Sequence, residues 1–406
     1  MSENLDRAFA PAKLGKLPLK NRILKAATYE GKTPGGVPGE QLLNFHRQIV
    51  AGGTAMTTIG YCTTEADGRI NDEMMWMHEG VRDALASINA ELKTTAPDVA
   101  ISGQMTHCGS FSKLSKLQRL KRPLGPSRWL NMMGVSVGRP FSGTMSTDDI
   151  DYLVQTYYDA AKMMKETGFD AVEIHFSHGY GLSQFISPKT NRRTDEYGGS
   201  LANRMRLPLR ALDAVRRAVG EDFPIMGKIG LTDGVKGGLQ LDEAIEVAAM
   251  LDAAGIDGLI CSGGTSTFNP MVYFRGETLD KGLLENEKNP IMRLGLRLVG
   301  PSMFRKYPYE ELYFLEDAKK VRDRVRNAQM IYIGGCTELA SIETVMAEGF
   351  DFVQLGRTLI KDPAFVNNAR NNPEYKNGCI HCNRCAGAIE APGGVYCPLN
   401  EQRQAS

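Results

Sequence analysis

The chain has 406 residues, long for one ordinary domain and within reach of a single α/β barrel carrying insertions. Its 48 basic and 47 acidic residues leave a net charge of +1, so no overall field favours nucleic acid or an anionic membrane. The N-terminal MSENLDRAFAPAKLGKLPLKNRI has no apolar signal core, and no run approaches the roughly 18 apolar residues of a membrane span, so the chain reads as cytoplasmic.

Along the chain, eight short apolar runs read as strands, near 23–28, 54–59, 99–105, 170–175, 225–229, 258–261, 330–333 and 352–355. Helical patterns such as DEAIEVAAMLDAAG and ELASIETVMAEG lie between several of them, with apolar residues three and four apart. Three fragments, ETGFDAVEIH, AAGIDGLICS and AEGFDFVQLG, repeat one design: a helix ends at Gly, and a bulky apolar residue and an Asp lead into a buried strand. Strands alternating with helices predict an α/β fold, a (β/α)8 TIM barrel over 1–370, with a doubly wound sheet as the alternative. A short Cys-rich extension, 371–406, is expected to pack on it.

Two connections are too long for plain turns, 106–148 and 267–310, and both leave the C-terminal ends of strands, the active-site face of a barrel. The basic cluster Lys113, Lys116, Arg119, Lys121 and Arg122 reads as a solvated loop, with an anionic substrate tail as the sharper alternative. Met271, Tyr273, Phe274 and Phe304 either wall an apolar pocket or pack on the barrel.

Strand ends also bring distant residues together: Gln104, His175, Lys228, the glycines of CSGGTS, Gly334 and Gly335, and Gly356 and Arg357. The loops after the seventh and eighth strands of such barrels often hold a phosphate, and Arg357 can pair one bidentately. Turn glycines are the bland reading of either motif alone; together they favour phosphate. His175, His178 and Tyr180 admit a metal pair, a general acid with helpers, or satisfied polar residues.

The segments LKNRILKAAT, QMTHCG, GFDAVEIHFSHGYGLSQFISPKTNRRTDEYGGSLANRMR, IGG and GFDFVQLGRTLIKDPAF together resemble the old yellow enzyme family, over roughly residues 8–370. The resemblance implies a cytoplasmic flavoprotein ene-reductase that binds FMN and reduces an enone-type small molecule with NAD(P)H in ping-pong order. It assigns His175 and His178 to the substrate carbonyl oxygen and Tyr180 to protonation of the α-carbon. It assigns Ala26, Ala27, Thr28, Gly60, Gln104, His175 and Lys228 to the flavin ring, and Gly334, Gly335, Gly356 and Arg357 to its phosphate. Arg192, Arg193, Asp195 and Tyr197 are expected to lock a loop rather than to catalyse. Two positions depart from the family pattern. Lys228 stands where an arginine is common, giving the charge without the fork, and Tyr29 stands where relatives carry Thr or Cys.

The C-terminal CIHCNRCAGAIEAPGGVYCPLN places Cys379, Cys382, Cys385 and Cys397 in a spacing compatible with a [4Fe-4S] cluster. It resembles the cluster segment of the trimethylamine dehydrogenase and dienoyl-CoA reductase group, with His381 at a usual glycine. That likeness implies, as the alternative function, an iron–sulfur flavoprotein relaying electrons to a separate partner. Zinc or an unmetallated remnant are the other readings of the four cysteines. A flavin carrier without a substrate would need neither His175 nor Tyr180, and a flavin-free phosphate-binding barrel would be colourless. The sequence is compatible with a homo-oligomer.

Overall fold

Eight parallel strands close into a barrel, pairing in the cyclic order β6-β7-β8-β1-β2-β3-β4-β5. They are β1 (Ile23–Lys25), β2 (Met56–Thr63), β3 (Ala100–Thr106), β4 (Ala171–Phe176), β5 (Ile225–Gly230), β6 (Gly258–Ser262), β7 (Gln329–Tyr332) and β8 (Phe352–Leu355). The computed structural model describes residues 2–287 and 290–400, apart from the side chains of 291, 292 and 299–303. The last six residues assigned to the Cys-rich extension therefore lie outside the described residues. Each strand is followed by a helix: α1 (Glu40–Ala51), α2 (Glu79–Thr95), α3 (Thr147–Glu166), α4 (Leu201–Val219), α5 (Leu241–Ala253), α6 (Leu315–Arg324), α7 (Leu339–Ala347) and α8 (Phe365–Asn371).

The repeated Gly-x-Asp fragments explain how helix hands over to strand. Gly168, Gly255 and Gly349 have φ of 87°, 82° and 82°, the left-handed region that lets a helix end in a tight turn. The Asp two residues later then ties its strand to the neighbour. Asp170 accepts the N–H of Ile101 at 2.9 Å, Asp257 that of Ile225 at 2.8 Å and Asp351 that of Met330 at 2.9 Å. Three copies of one clamp therefore fix the register at the closed end of the barrel. Below them Leu14 and Leu19, from the hairpin Ala12–Leu14/Leu17–Leu19, plug the interior against Leu24, Met56, Met226, Ile260 and Phe352.

At the opposite end the strands run differently from the sequence pattern. β1 stops at Lys25; the Ala26 N–H still donates to Leu355 O at 2.8 Å, and Ala26–Thr28 continue along the rim. β2 runs on past 59 to Thr63 because its pairing with β3 shifts register between Ile59 and Cys62, and this carries Tyr61 into the rim. The 106–148 connection is anchored by the short ribbon Leu124–Gly125/Gly143–Thr144, and 267–310 contains two helices, Asp280–Asn286 and Pro290–Met303.

Residues 371–400 fold back over this rim. The buried Asn383 side chain donates to the carbonyls of Phe274 and Glu277, both at 2.6 Å, and accepts from Arg357 Nη1 at 2.7 Å. Asn377 donates to Thr358 O at 2.9 Å, and the Val395 N–H donates to Glu30 O at 2.7 Å. His381 has φ 54°. That is why a glycine is the ordinary residue there, and the histidine holds this backbone while stacking on Tyr309.

Candidate active site

A cavity of about 1070 Å³ opens at the C-terminal ends of the strands. It is at the upper end of the roughly 300–1,000 Å³ of small-molecule sites, so a cofactor and a second molecule have room together. Its wall includes Gly334, Gly335, Gly356 and Arg357, the phenols and imidazole of Tyr29, Tyr61, His178, Tyr180 and Tyr273, and Ala26, Ala27, Thr28, Lys228 and Gln354. His175, Gln104 and Gly60 stand just behind this surface.

Strand geometry puts the polar residues there. Side chains alternate across a strand, so Glu173 and His175 of β4 both point into the barrel. Glu173 is fully buried and is the hub of the floor. It lies 2.9 Å from Lys228 Nζ, and accepts from Gln104 Nε2 at 2.5 Å and Gln354 Nε2 at 2.9 Å. One carboxylate thus orients a cation and two amides whose oxygens, Gln104 Oε1 and Gln354 Oε1, have no partner among the described residues. A second fully buried pair, Lys25 and Glu30, lies under Thr28, whose hydroxyl donates to Glu30 Oε1 at 3.1 Å. Burial lowers the Lys25 pKa and raises that of Glu30, each opposed by the other's charge.

The rings of His175 and His178 meet edge to face at 4.9 Å, and Tyr180 lies 5.0 Å from His175. His175 Nδ1 accepts the Ser177 N–H at 3.4 Å, leaving Nε2 without a partner among the described residues. His178 Nε2 lies 2.8 Å from Ser262 Oγ, a hydroxyl rather than a carboxylate. Burial, with the charge of Lys228 nearby, pulls His178 down to about 3; burial, His178 and Lys228 hold His175 well below its ordinary value. Both imidazoles are therefore neutral near pH 7. Burial pushes the Tyr180 phenol up to about 12, so it is a protonated donor. Tyr61 packs on Tyr29, His175 and Tyr180 with centroids 5.6, 5.7 and 5.2 Å away.

The remaining sequence assignments divide. Tyr273, Phe274 and Phe304 line the cavity, whereas the five cations of 113–122 do not border it. Arg119 instead pairs with Asp149 at 3.0 Å, and Lys113 with Glu390 at 2.5 Å. Arg193 pairs with Asp195 at 2.5 Å and donates to Met145 O at 2.6 Å, and Tyr197 accepts from Arg210 at 2.6 Å, so this loop is locked as expected. Cys379, Cys382, Cys385 and Cys397 line one small second cavity. Arg357, Ile360, His381 and Cys385 border both cavities. None of the four cysteines is in a disulfide, and among the described residues no three His, Cys, Asp or Glu side chains are gathered as a single metal ion requires.

Glu173, Gln354, Tyr61, Ser262 and Ser266 escaped the sequence reading. The available signal was a charged or amide residue inside a strand buried on both faces, which VEIH and FVQL each contain.

Residues 7–268 match the model of the NADH:flavin oxidoreductase / NADH oxidase family. This chain is a member of it. The 4,4'-dithiodibutanoate disulfide reductase of Rhodococcus erythropolis is 36% identical over 97% of this chain and 95% of its own length. An NADH oxidase of Thermoanaerobacter brockii is 30% identical over 92% of this chain, which spans only 52% of that protein. The fold matches morphinone reductase in complex with tetrahydroNAD, with a TM-score of 0.68 at 22% identity over 90% of both chains. It also matches a 2-naphthoyl-CoA reductase complex, with a TM-score of 0.78 at 23% identity over 95% of this chain and 56% of the other. The family member described here is thus a flavin oxidoreductase built on a TIM barrel, and no described helix is long and apolar enough to cross a membrane.

Proposed function

We propose that this flavin oxidoreductase binds FMN and uses NAD(P)H to reduce the C=C bond of α,β-unsaturated carbonyl compounds. The carrying observation is that His178 and Tyr180, backed by His175, face the same cavity that runs to Gly334, Gly335, Gly356 and Arg357. The residues present fit FMN. Gln104 Oε1 and Gln354 Oε1 are buried acceptors free for the ring's N–H edge, and Lys228 supplies positive charge beside them. Gly334 and Gly335 have φ of 126° and 69°, and a Cβ on either would collide with Phe314 or with Glu310 O. Only bare backbone fits in that cradle, and Arg357 lines the same cavity. Bound FMN would supply hydride transfer between the two substrates.

The protein's own part is binding and proton delivery. Neutral His175 and His178 donate N–H groups to the carbonyl oxygen and polarise the alkene. Tyr180 gives its proton to the α-carbon. Both substrates use one cavity, so they occupy it in turn, in ping-pong order. Positioned general acids contribute about 10²–10⁴-fold. Tyr180→Phe is therefore expected to slow oxidation of the reduced holoenzyme by 2-cyclohexenone about 100-fold, and to slow its reduction by NAD(P)H far less; stopped-flow absorbance reads both. Equal losses in the two half-reactions would contradict the assignment.

A second reading, reduction of an organic disulfide, is favoured by the near full-length similarity to the Rhodococcus enzyme. In that case Tyr180 protonates the departing thiolate. Assaying 2-cyclohexenone and 4,4'-dithiodibutanoate on one holoenzyme preparation ranks the two. For the cysteines we favour a [4Fe-4S] cluster over zinc, because the C-x2-C-x2-C spacing followed by a remote Cys–Pro is compatible with cluster ligation and the four thiols line one cavity. Iron, zinc and flavin measured together after anaerobic purification test this; flavin without iron would remove the cluster and the electron-relay function with it.

A further inference from the structure

On the reading above, each turnover removes the phenolic proton of Tyr180, and that proton must be replaced. Tyr180 is only 6% exposed. Its ring is surrounded by Tyr61 from β2, His175 from β4, and the thiol of Cys108 from the loop after β3. His175 is neutral with a single N–H, assigned to the substrate. Cys108 is buried, with no path of its own to solvent.

Two hydroxyls reach the phenol: that of Tyr61, which burial holds well above the ordinary phenol range, and that of Ser266. Ser266 Oγ donates to Tyr180 at 3.3 Å and lies 3.0 Å from the phenolic oxygen of Tyr273. Both groups are held in place. The Ser266 N–H donates to His178 O at 2.9 Å. The Tyr273 ring stacks on His178 at 4.3 Å, and its carbonyl accepts from Tyr313 at 2.9 Å. All three groups stand in the cavity wall, and exposure increases along the row from buried Tyr180 to half-buried Ser266 and Tyr273.

We infer that Ser266 and Tyr273 form a hydroxyl relay that returns a proton from cavity solvent to the Tyr180 phenolate after each transfer. The inference rests on Tyr180 being the proton donor. The Tyr180 O–H bond breaks as the substrate C–H bond forms. Ser266 then gives its hydroxyl proton to the phenolate and takes one from Tyr273, which solvent replaces. The net input is one solvent proton, balancing the hydride supplied from NAD(P)H. The same relay serves a departing thiolate, so it is independent of which oxidant the enzyme uses.

The test uses the full-length holoenzyme with 2-cyclohexenone, and the protein labelled with 3-fluorotyrosine, whose Tyr180 signal in fluorine NMR is identified by its loss in Tyr180→Phe. Ser266→Ala is expected to slow the oxidative half-reaction about tenfold relative to the reductive one. It should also raise the Tyr180 titration midpoint by about one pH unit, as expected for losing one hydrogen bond to a charged group. Ser266→Thr, which keeps the hydroxyl, should restore both. A Ser266→Ala enzyme with an unmoved midpoint or an unslowed oxidative half-reaction overturns the relay while leaving Tyr180 as donor. If Tyr180→Phe itself does not slow the enone reaction, the donor assignment fails and the relay fails with it.

Discussion

Lys228 and Glu173 face each other at 2.9 Å, at 2% and 0% side-chain exposure, so each is the condition for burying the other. Removing one partner of such a pair typically costs about 3–5 kcal/mol, because a bare charge stays behind. Lys228→Met should therefore lower the urea-unfolding free energy by that amount, and Lys228→Met/Glu173→Gln should recover most of it. The two variants should agree in binding flavin weakly, since neither has the cation; a double variant with wild-type flavin affinity would remove Lys228 from the cofactor site. Glu173 shows why some of this floor was unreadable in sequence. His175, Lys228 and Gln104 stand out by residue type at a strand end, whereas Glu173 and Gln354 sit mid-strand among apolar neighbours. Their function depends on four strands meeting, β3, β4, β5 and β8, and only closure of the barrel brings β8 across to the others.

Between elements the contrast is the same. The Gly-x-Asp hand-over from helix to strand was legible because it is local, repeated and set by helix and strand periodicity, whereas the bonds its Asp makes to the neighbouring strand were not. The pin holding the 106–148 insertion was not, because Asp67 lies about fifty residues before its partners. Asp67 is 2% exposed and accepts the N–H groups of Gln118, Arg119 and Leu120 at 2.6, 2.8 and 2.8 Å. This fixes the start of the segment that carries Met132 and Met133 to the cavity wall. Asp67→Ala leaves three backbone donors without that acceptor, and is expected to cost about 3–5 kcal/mol. Asp67→Asn keeps an acceptor oxygen and should cost about 1–2 kcal/mol. Hydrogen exchange should show 118–120 losing protection first; uniform loss across the barrel would mean Asp67 stabilises the whole fold rather than the insertion.

Across the whole molecule, the buried histidines couple the site to acid stability. His46 of α1 is fully buried, with Nδ1 2.7 Å from Thr57 Oγ1. Burial, then the charges of Lys25 and Lys32, hold its pKa well below the ordinary value, as burial and neighbours do for His175. In the unfolded chain both titrate near 6.5. As pH falls below about 6.5 the unfolded chain takes up protons that the native state refuses, so stability declines from there toward the depressed native values. Each histidine held this low, His178 included, contributes about 1.4 kcal/mol per pH unit in that window. Carboxylates with ordinary or lowered values add little between pH 6 and 5, whereas buried Glu30, whose value is raised, binds its proton in the native state first and acts in the opposite direction. Urea unfolding at pH 7, 6 and 5 should show this decline, and His46→Asn should reduce its slope by about 1.4 kcal/mol per pH unit while leaving stability near pH 7 less changed. Because His46 adjoins the Lys25–Glu30 pair beneath Thr28, its protonation would disturb the rim built by Ala26–Thr28 before the barrel opens. Bound flavin should then be lost at a higher pH than the far-ultraviolet signal of the helices, and simultaneous loss of both would place the acid-sensitive step elsewhere in the barrel.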